Sequence, residues 1–268
     1  MLKVKSNSLE KRSPIKIKNI LITQPEPIDS SSPYQDLRSR YNVNLDFRSF
    51  IHVEGVSLKE FRQQKIHFLE FTAIIFTSKN AVDNFFRICQ ETRVEMPQET
   101  KYFCVSEQTS NYLQKYIILR KRKVFSGSGS ATGLVDLFKK YKKERYLYPC
   151  SDIRKNEIPQ FLSANGLFYK EVILYRTVAS DLSGFDPLNY DVIAFYSPSG
   201  VQALLKNFPE FKQKNTLIAA FGPTTAKSVL DAGLSLDISA PQPNIPSMAG
   251  AIESYIKKYK GVGNGHRV

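Results

Sequence analysis

Four places in this chain put small hydroxyl residues or glycine where an apolar run ends and a helix-compatible pattern begins. They are Thr77-Ser78 after Ile74-Ile-Phe76, Thr109 beyond Tyr102-Phe-Cys-Val105, Ser197 and Ser199-Gly200 after Ile193-Ala-Phe-Tyr196, and Thr224-Thr225 after Ile218-Ala-Ala-Phe221. A strand that delivers the chain to a helix N-terminus exposes unpaired backbone N–H groups at the positive end of the macrodipole. Such a junction holds an anion without a buried lysine. The hydroxyls also cap their own helices, and at any one position capping explains the residue as well as ligand contact does. Their recurrence at mirrored positions points to an acidic ligand.

The elements that position these residues come in two copies. The stretch from Ile74 to Phe86 reappears, degenerate, from Ile193 to Leu205, and the stretch from Tyr102 to Leu113 reappears from Ile218 to Val229. A strand at Ile20-Leu-Ile-Thr23, a helix opened by Ser32-Pro33 and a strand over 44–52 match a strand at 145–149, a helix over 153–163 and a strand over 170–177. The order is therefore unit A (20–52), B (72–130), A′ (145–177) and B′ (191–240). Strands 123–125 and 235–238 and helices 132–141 and 247–259 complete the pattern. Residues 1–16 read as a flexible basic arm and 261–268 as a tail. Strands alternating with helices predict parallel sheets covered on both faces, with 73–76 and 192–196 central because they lack polar alternation. Pattern alone pairs A with B and A′ with B′, and it also admits the interleaved alternative of A with B′ and B with A′.

At 268 residues and 42% hydrophobic composition the chain has material for two domains with their own cores. No apolar run reaches the roughly 18 residues of a membrane span, and no secretory signal is visible, so a cytoplasmic protein without a membrane partner is expected. Cys89, Cys104 and Cys150 are odd in number and sit in or beside apolar segments, which favours buried reduced thiols. His52, His67 and His266 lack ligand spacing, so no metal site is expected. The net charge of +13 suits a polyanionic partner, yet it concentrates in the arm (Lys3, Lys5, Lys11, Arg12, Lys16) and in the runs 120–123 and 139–145. Solvated helix faces account for such runs. No nucleic-acid motif accompanies them, and no nucleic-acid partner is expected.

Taken together, Phe76-Thr-Ser78 with Ala81-Val82, Tyr148-Pro149, Leu174-Tyr-Arg-Thr177, Phe195-Tyr-Ser-Pro-Ser-Gly-Val201, Gly222-Pro-Thr-Thr-Ala226 and Ala232-Gly-Leu234 resemble the uroporphyrinogen-III synthase family in order and spacing over roughly 18–260. The resemblance implies an α/β fold of two Rossmann-like (flavodoxin-like) parallel-sheet domains joined by a two-strand linker, the second inserted into the first. It thereby selects the pairing of A with B′ and B with A′, with domain 1 formed by 17–50 and 178–260 and domain 2 by 51–177. It implies a lyase of tetrapyrrole (heme) biosynthesis that cyclises hydroxymethylbilane to uroporphyrinogen III. Water is lost and the last pyrrole ring is inverted through a spiro intermediate, with no cofactor. A monomer is expected, with a transient hand-over of substrate from hydroxymethylbilane synthase.

The resemblance also assigns roles. Tyr175, in the matching Tyr-x-Thr motif, becomes the candidate general acid for loss of the hydroxyl, since a phenol donates a proton or hydrogen bond without carrying charge. Without the resemblance, a strand tyrosine reads as packing. Thr77, Ser78, Thr109, Ser197, Ser199, Gly200, Thr224 and Thr225 become the candidate binders of the substrate's eight carboxylates. Two departures stand out: Ser106-Glu107 replaces a family glycine after the strand of unit B, and Ser151-Asp152 replaces another. They keep open the alternative of a catalytically inactive two-domain relative that binds anions or nucleotides. No GxGxxG or GxxxxGK[ST] loop supports the nucleotide version.

Overall fold

In the strands that form the two sheet centres every position is apolar and buried, because helices cover both faces. The computed structural model describes residues 16–28, 32–154 and 156–260. Most of the expected basic arm and the whole expected tail, including Lys3, Lys5, Lys11, Arg12 and His266, lie outside the described residues. In order, the elements are β1 (Asn19–Ile22), α1 (Pro33–Tyr41), β2 (Asn44–Phe47), β3 (Ile51–Gly55), α2 (Leu58–Gln63), β4 (Ala73–Phe76), α3 (Lys79–Thr92), β5 (Lys101–Cys104), α4 (Glu107–Tyr112) and β6 (Val124–Ser126). They continue with α5 (Val135–Lys140), β7 (Tyr146–Ser151), α6 (Glu157–Ala164), β8 (Tyr169–Ala179), β9 (Val192–Phe195), α7 (Pro198–Asn207), β10 (Leu217–Phe221), α8 (Pro223–Asp231), β11 (Ile238–Ala240) and α9 (Met248–Lys260).

The chain divides into two compact units, one of Met1–His52 with Val178–Val268 and one of Val53–Thr177. Unit 1 contains a sheet in the order β11-β10-β9-β1-β2, every pair parallel. Unit 2 is built on the order β3-β8-β7-β4-β5-β6, parallel from β8 to β6. The sheets therefore join A to B′ and B to A′. Taking the strands of each unit in repeat order, both read 2-1-3-4-5, the doubly wound arrangement whose ligands bind beyond the carboxyl ends of the strands.

Successive residues of a strand point to opposite faces, and each unit accordingly has two cores. In unit 1, Ile20, Ile22, Val192 and Ala194 pack under α1 and α9, while Leu21, Ile193 and Phe195 pack against α7. In unit 2, Ile74 and Phe76 join Phe85, Ile88 and Leu174, whereas Ala73 and Ile75 join Phe103, Phe138 and Leu162. Helix α3 buries Ala81, Val82, Phe85, Ile88 and Cys89, a stripe at helical spacing worth roughly 1.5–3 kcal/mol for each large side chain. Cys89, Cys104 and Cys150 are free and buried, and burial pushes each thiol up to about 12.

Several element boundaries differ from expectation for local reasons. The single strand over 44–52 is two strands in different sheets, interrupted at 48–50. The helix expected from 153 starts at Glu157, because the Asp152 carboxylate takes the Ile153 N–H at 2.9 Å and holds a turn. The strand expected over 235–238 lies at 238–240. Gln213 holds Ser235 through N–H and C=O bonds of 2.8 and 3.1 Å, and the Asp237 carboxylate accepts from Ile218 N at 2.9 Å. The helix expected over 132–141 opens as a 3-10 turn, Ala131–Leu134, before α5. Helix α2 was not foreseen, although Ser57 and Glu60 form a capping box around its start.

Asp191 ties three strands of unit 1 together. Its carboxylate accepts from the backbone N–H groups of Lys18 and Asn19 at 2.7 and 2.9 Å, and its backbone bonds both Asn19 and Leu217. Asp191→Ala removes two charge-assisted bonds and is expected to lower stability by about 2 kcal/mol. Urea unfolding checks this: the midpoint falls and the slope stays the same.

Candidate active site

In unit 2, β4 ends at Phe76 and passes the chain through Thr77 to Ser78, the N-cap of α3. Ser78 Oγ accepts from Ala81 N–H at 3.1 Å and lies 3.0 Å from the Tyr175 hydroxyl. The serine that starts the helix is thus also the partner of the expected acid. Tyr175 sits on β8 and is 7% exposed, and the strand residues on either side of it are held by α2 and its C-cap residue. Gln64 makes two 2.8 Å bonds with the backbone of Ile173, and Glu60 pairs with Arg176 at 2.6 Å. Burial raises the Tyr175 pKa, the Ser78 hydroxyl partly offsets that, and the neighbouring Cys150 thiol adds a small push upward.

A cavity of about 330 Å³ opens where β4 and β7 end, beside Tyr175 of β8, and is lined by Thr77, Tyr148, Ser151, Arg154, Glu157 and Tyr175 among others. Arg154 is paired with Glu171. Tyr148 is raised by burial, offset in part by the Thr77 side chain as a hydrogen-bond partner. Both phenols are therefore neutral donors at physiological pH. Thr109, in contrast, is 5% exposed within α4, with its hydroxyl 3.1 Å from Ser106 Oγ, the cap of that helix. Ser106, which departs from the family's glycine, works as an N-cap here.

In unit 1 the matching junctions stand at the carboxyl ends of β9 and β10. Ser197 caps α7 and takes the Gly200 N–H at 3.1 Å, so that donor is already engaged. Ser199 is partly exposed beside it. Helix α8 follows Gly222, whose φ of +84° is the left-handed region that favours glycine, and it has no side-chain cap. The early N–H groups of α8, at Thr224 and Thr225, are left without a side-chain acceptor. Thr224 is exposed; Thr225 is 1% exposed, packed against the sheet. Of the expected residues, then, Thr77, Ser78 and Tyr175 meet at one junction of unit 2, Thr109 stands at the next, and the other five lie on two adjacent junctions of unit 1.

Residues not foreseen as part of the site include Tyr148, Arg154 and Glu157 in unit 2. The alternation Tyr146-Leu-Tyr148 before a turn was the available signal for the first. In unit 1 the Tyr196 hydroxyl bonds that of Tyr34, and its ring stacks on Phe221 at 5.8 Å. Among the described residues, no group of three or more His, Cys, Asp or Glu side chains can hold a metal ion, and no helix is long and apolar enough to cross a membrane.

A sequence model of the family described as uroporphyrinogen-III synthase HemD matches residues 39–250. The chain belongs to the uroporphyrinogen-III synthase family. It is 24% identical over 211 residues to the uroporphyrinogen-III synthase of Saccharomyces cerevisiae, a match that spans 68% of this chain and 75% of that protein. Its fold is shared with uroporphyrinogen-III synthetase from Helicobacter pylori, at a TM-score of 0.57 and 19% identity over 90% of this chain and 100% of that one. A mutant uroporphyrinogen III synthase from Thermus thermophilus gives a TM-score of 0.51 at 13% identity, covering 91% and 99% of the two chains. This family member is thus an α/β protein of two parallel-sheet units.

The junctions separate folding roles from ligand roles. A Cβ at Gly200 would meet Phe195, Ser197 Oγ and Thr23 Oγ1 at 3.6–3.8 Å, which is ordinary contact. Gly200→Ala is therefore expected to keep its melting temperature within about 2 °C. Ser78→Ala loses the α3 cap and should cost about 1 kcal/mol. Thermal melts of the two variants side by side check both.

Proposed function

We propose that this chain is a uroporphyrinogen-III synthase acting in heme biosynthesis, and that Tyr175 assists departure of the hydroxyl from hydroxymethylbilane. The observation that carries the reading is a buried, neutral phenol bonded to Ser78, on a strand whose flanking Ile173 and Arg176 are held by Gln64 and Glu60, lining a cavity at the carboxyl end of β4 and β7. A general acid for a hydroxide leaving group must be protonated at working pH and rigidly aimed. The substrate's pyrrole nitrogen supplies the electrons that stabilise the cation left behind. Ring closure at the substituted carbon, rearrangement through a spiro intermediate and loss of a carbon-bound proton complete the dehydration.

Carboxylate binding falls to the junctions. Thr77, Ser78 and Thr109 serve one group of acetate and propionate arms. Ser197, Ser199, Gly200, Thr224 and Thr225 are the candidate carboxylate binders of unit 1, through hydroxyls and helix N–H groups. The open start of α8 favours Thr224 and Thr225 as the strongest of these. The same reading takes 17–50 with 178–260 as domain 1 and 51–177 as domain 2. It also takes the protein as a cytoplasmic monomer that receives its unstable substrate in a transient hand-over from hydroxymethylbilane synthase. The rival is an inactive relative that keeps the fold and an anion site, motivated by Ser106-Glu107.

A coupled assay decides between them. With hydroxymethylbilane supplied to the purified chain and the porphyrin isomers separated after oxidation, an excess of type III over the spontaneous type I product is expected; type I alone at the uncatalysed rate leaves the rival standing. Tyr175→Phe is expected to lower kcat about tenfold with little change in KM, the signature of an interaction made in the transition state. The active phenol is the protonated form, and its pKa is raised above 10.0. Activity should therefore persist on the alkaline side until pH exceeds the ordinary tyrosine value. A kcat–pH profile that falls near neutrality through a single ionisation lost in Tyr175→Phe would contradict the assignment.

A further inference from the structure

The cavity of unit 2 holds a second phenol that the reaction as assigned does not use. Tyr148, on β7, is 4% exposed and lines the same cavity as Tyr175. The two rings come from opposite faces of the sheet: Tyr148 packs with Phe103 and Leu134, Tyr175 with Phe76 and Phe85. They reach one cavity because it sits at the carboxyl edge, where β4 has ended and the β7–β8 register shifts between Cys150 and Ser151. A buried tyrosine ordinarily spends its hydroxyl on one fixed acceptor. These two instead share a junction of consecutive hydroxyl residues. Thr77 lines the cavity together with Tyr148, and the Ser78 hydroxyl lies 3.0 Å from that of Tyr175. Ser78 Oγ already accepts from Ala81 N–H. Its own proton is free to go to the Tyr175 oxygen, which leaves the phenolic O–H available to a ligand.

Resting on the proposed synthase reaction, we infer that Tyr148 is a second proton donor to the departing hydroxyl, working beside Tyr175 and in its place when Tyr175 is removed. In the step, the phenol O–H passes its proton to the hydroxyl oxygen. The C–O bond breaks with its electron pair going to that oxygen, and water leaves. The pyrrole nitrogen stabilises the cation, and the carbon-bound proton released when the last ring regains aromaticity returns to the phenolate. Neither an oxidant nor a metal is required. Two donors on one cavity make the loss of either tolerable, which a single general acid does not.

The experiment compares Tyr148→Phe, Tyr175→Phe and the double variant of the full chain, by type III formation from hydroxymethylbilane and by thermal melts. Tyr148→Phe alone is expected to lower kcat about threefold and Tyr175→Phe about tenfold. The double variant is expected to lower it 300-fold or more, within the roughly 10²–10⁴ that a general acid supplies and well beyond the product of the singles. Melting temperatures should stay within a few degrees, because the rings remain. A double variant no slower than the product of the singles overturns the inference while leaving the synthase reading intact. A wild-type chain that forms no excess type III removes that reading and this inference with it. Should Tyr148→Phe fail to fold, fluorotyrosine incorporated into Tyr175→Phe gives the answer. Its more acidic phenol moves the alkaline limb of kcat downward when a tyrosine is the remaining donor, and an unmoved limb rejects Tyr148.

Discussion

The parallel pairing of β1 with β9 is the constraint on which this molecule turns. Ile20 faces Val192 and Ile22 faces Ala194, so the centre of one sheet is made by segments from opposite ends of the chain. Neither half can exist without the other. β1 and β2 alone are a two-stranded parallel ribbon whose buried β1 residues lack cover, and β9 to β11 lack a neighbour on one side. Asp191 seals the seam by placing a carboxylate on the N–H groups that begin β1. Everything between, including the whole of unit 2, is carried as one long excursion whose closure entropy grows only slowly with length. Insertion of one module into another is tolerated for that reason.

Within each unit the same device is used repeatedly. A parallel strand ends, a small hydroxyl residue turns the chain, and a helix starts with its N–H groups facing the carboxyl edge. Ser78, Ser106 and Ser197 close their own helices, while Gly222 leaves α8 open. Stability and ligand binding therefore compete for the same few donors at three junctions and not at the fourth. At the β4–α3 junction the competition resolves into cooperation, since the Ser78 hydroxyl caps the helix and aims Tyr175 in one stroke. The clamp from α2 has the same character. Gln64 and Glu60 fix the β8 backbone and its neighbouring arginine on either side of the tyrosine, so a short surface helix helps to set the strand that carries it.

Charge plays a smaller part at this site than the +13 total would suggest. The polar groups on the cavity are two phenols, several hydroxyls, the Glu157 carboxylate and one arginine already paired with Glu171. Neutral donors suit a substrate that must bind through many carboxylates and still release a product of nearly the same charge. Helix N–H groups bring fixed partial charge without the desolvation cost of a buried ammonium.

What the sequence determined by itself follows from local rules. Apolar runs flanked by small hydroxyls identified the junctions; their repetition identified two modules; Ser32-Pro33 marked the start of α1. These depend on residues within a few positions of one another, where propensity and capping act. The capping box at Ser57 and Glu60 is of this kind too, a local start signal for a helix only six residues long. Other features depended on residues far apart in the chain. Residue pattern alone pairs neighbouring modules, A with B and A′ with B′, because nothing local marks a strand's distant partner. That Tyr148 and Tyr175 share a cavity required two faces of a sheet to meet at its edge, which alternation along a single strand predicts against. The break between β2 and β3 likewise reflects which sheet offers each segment a partner. Backbone ladders between distant segments are settled by tertiary packing, because only there do both partners' apolar faces and unpaired N–H groups come within reach.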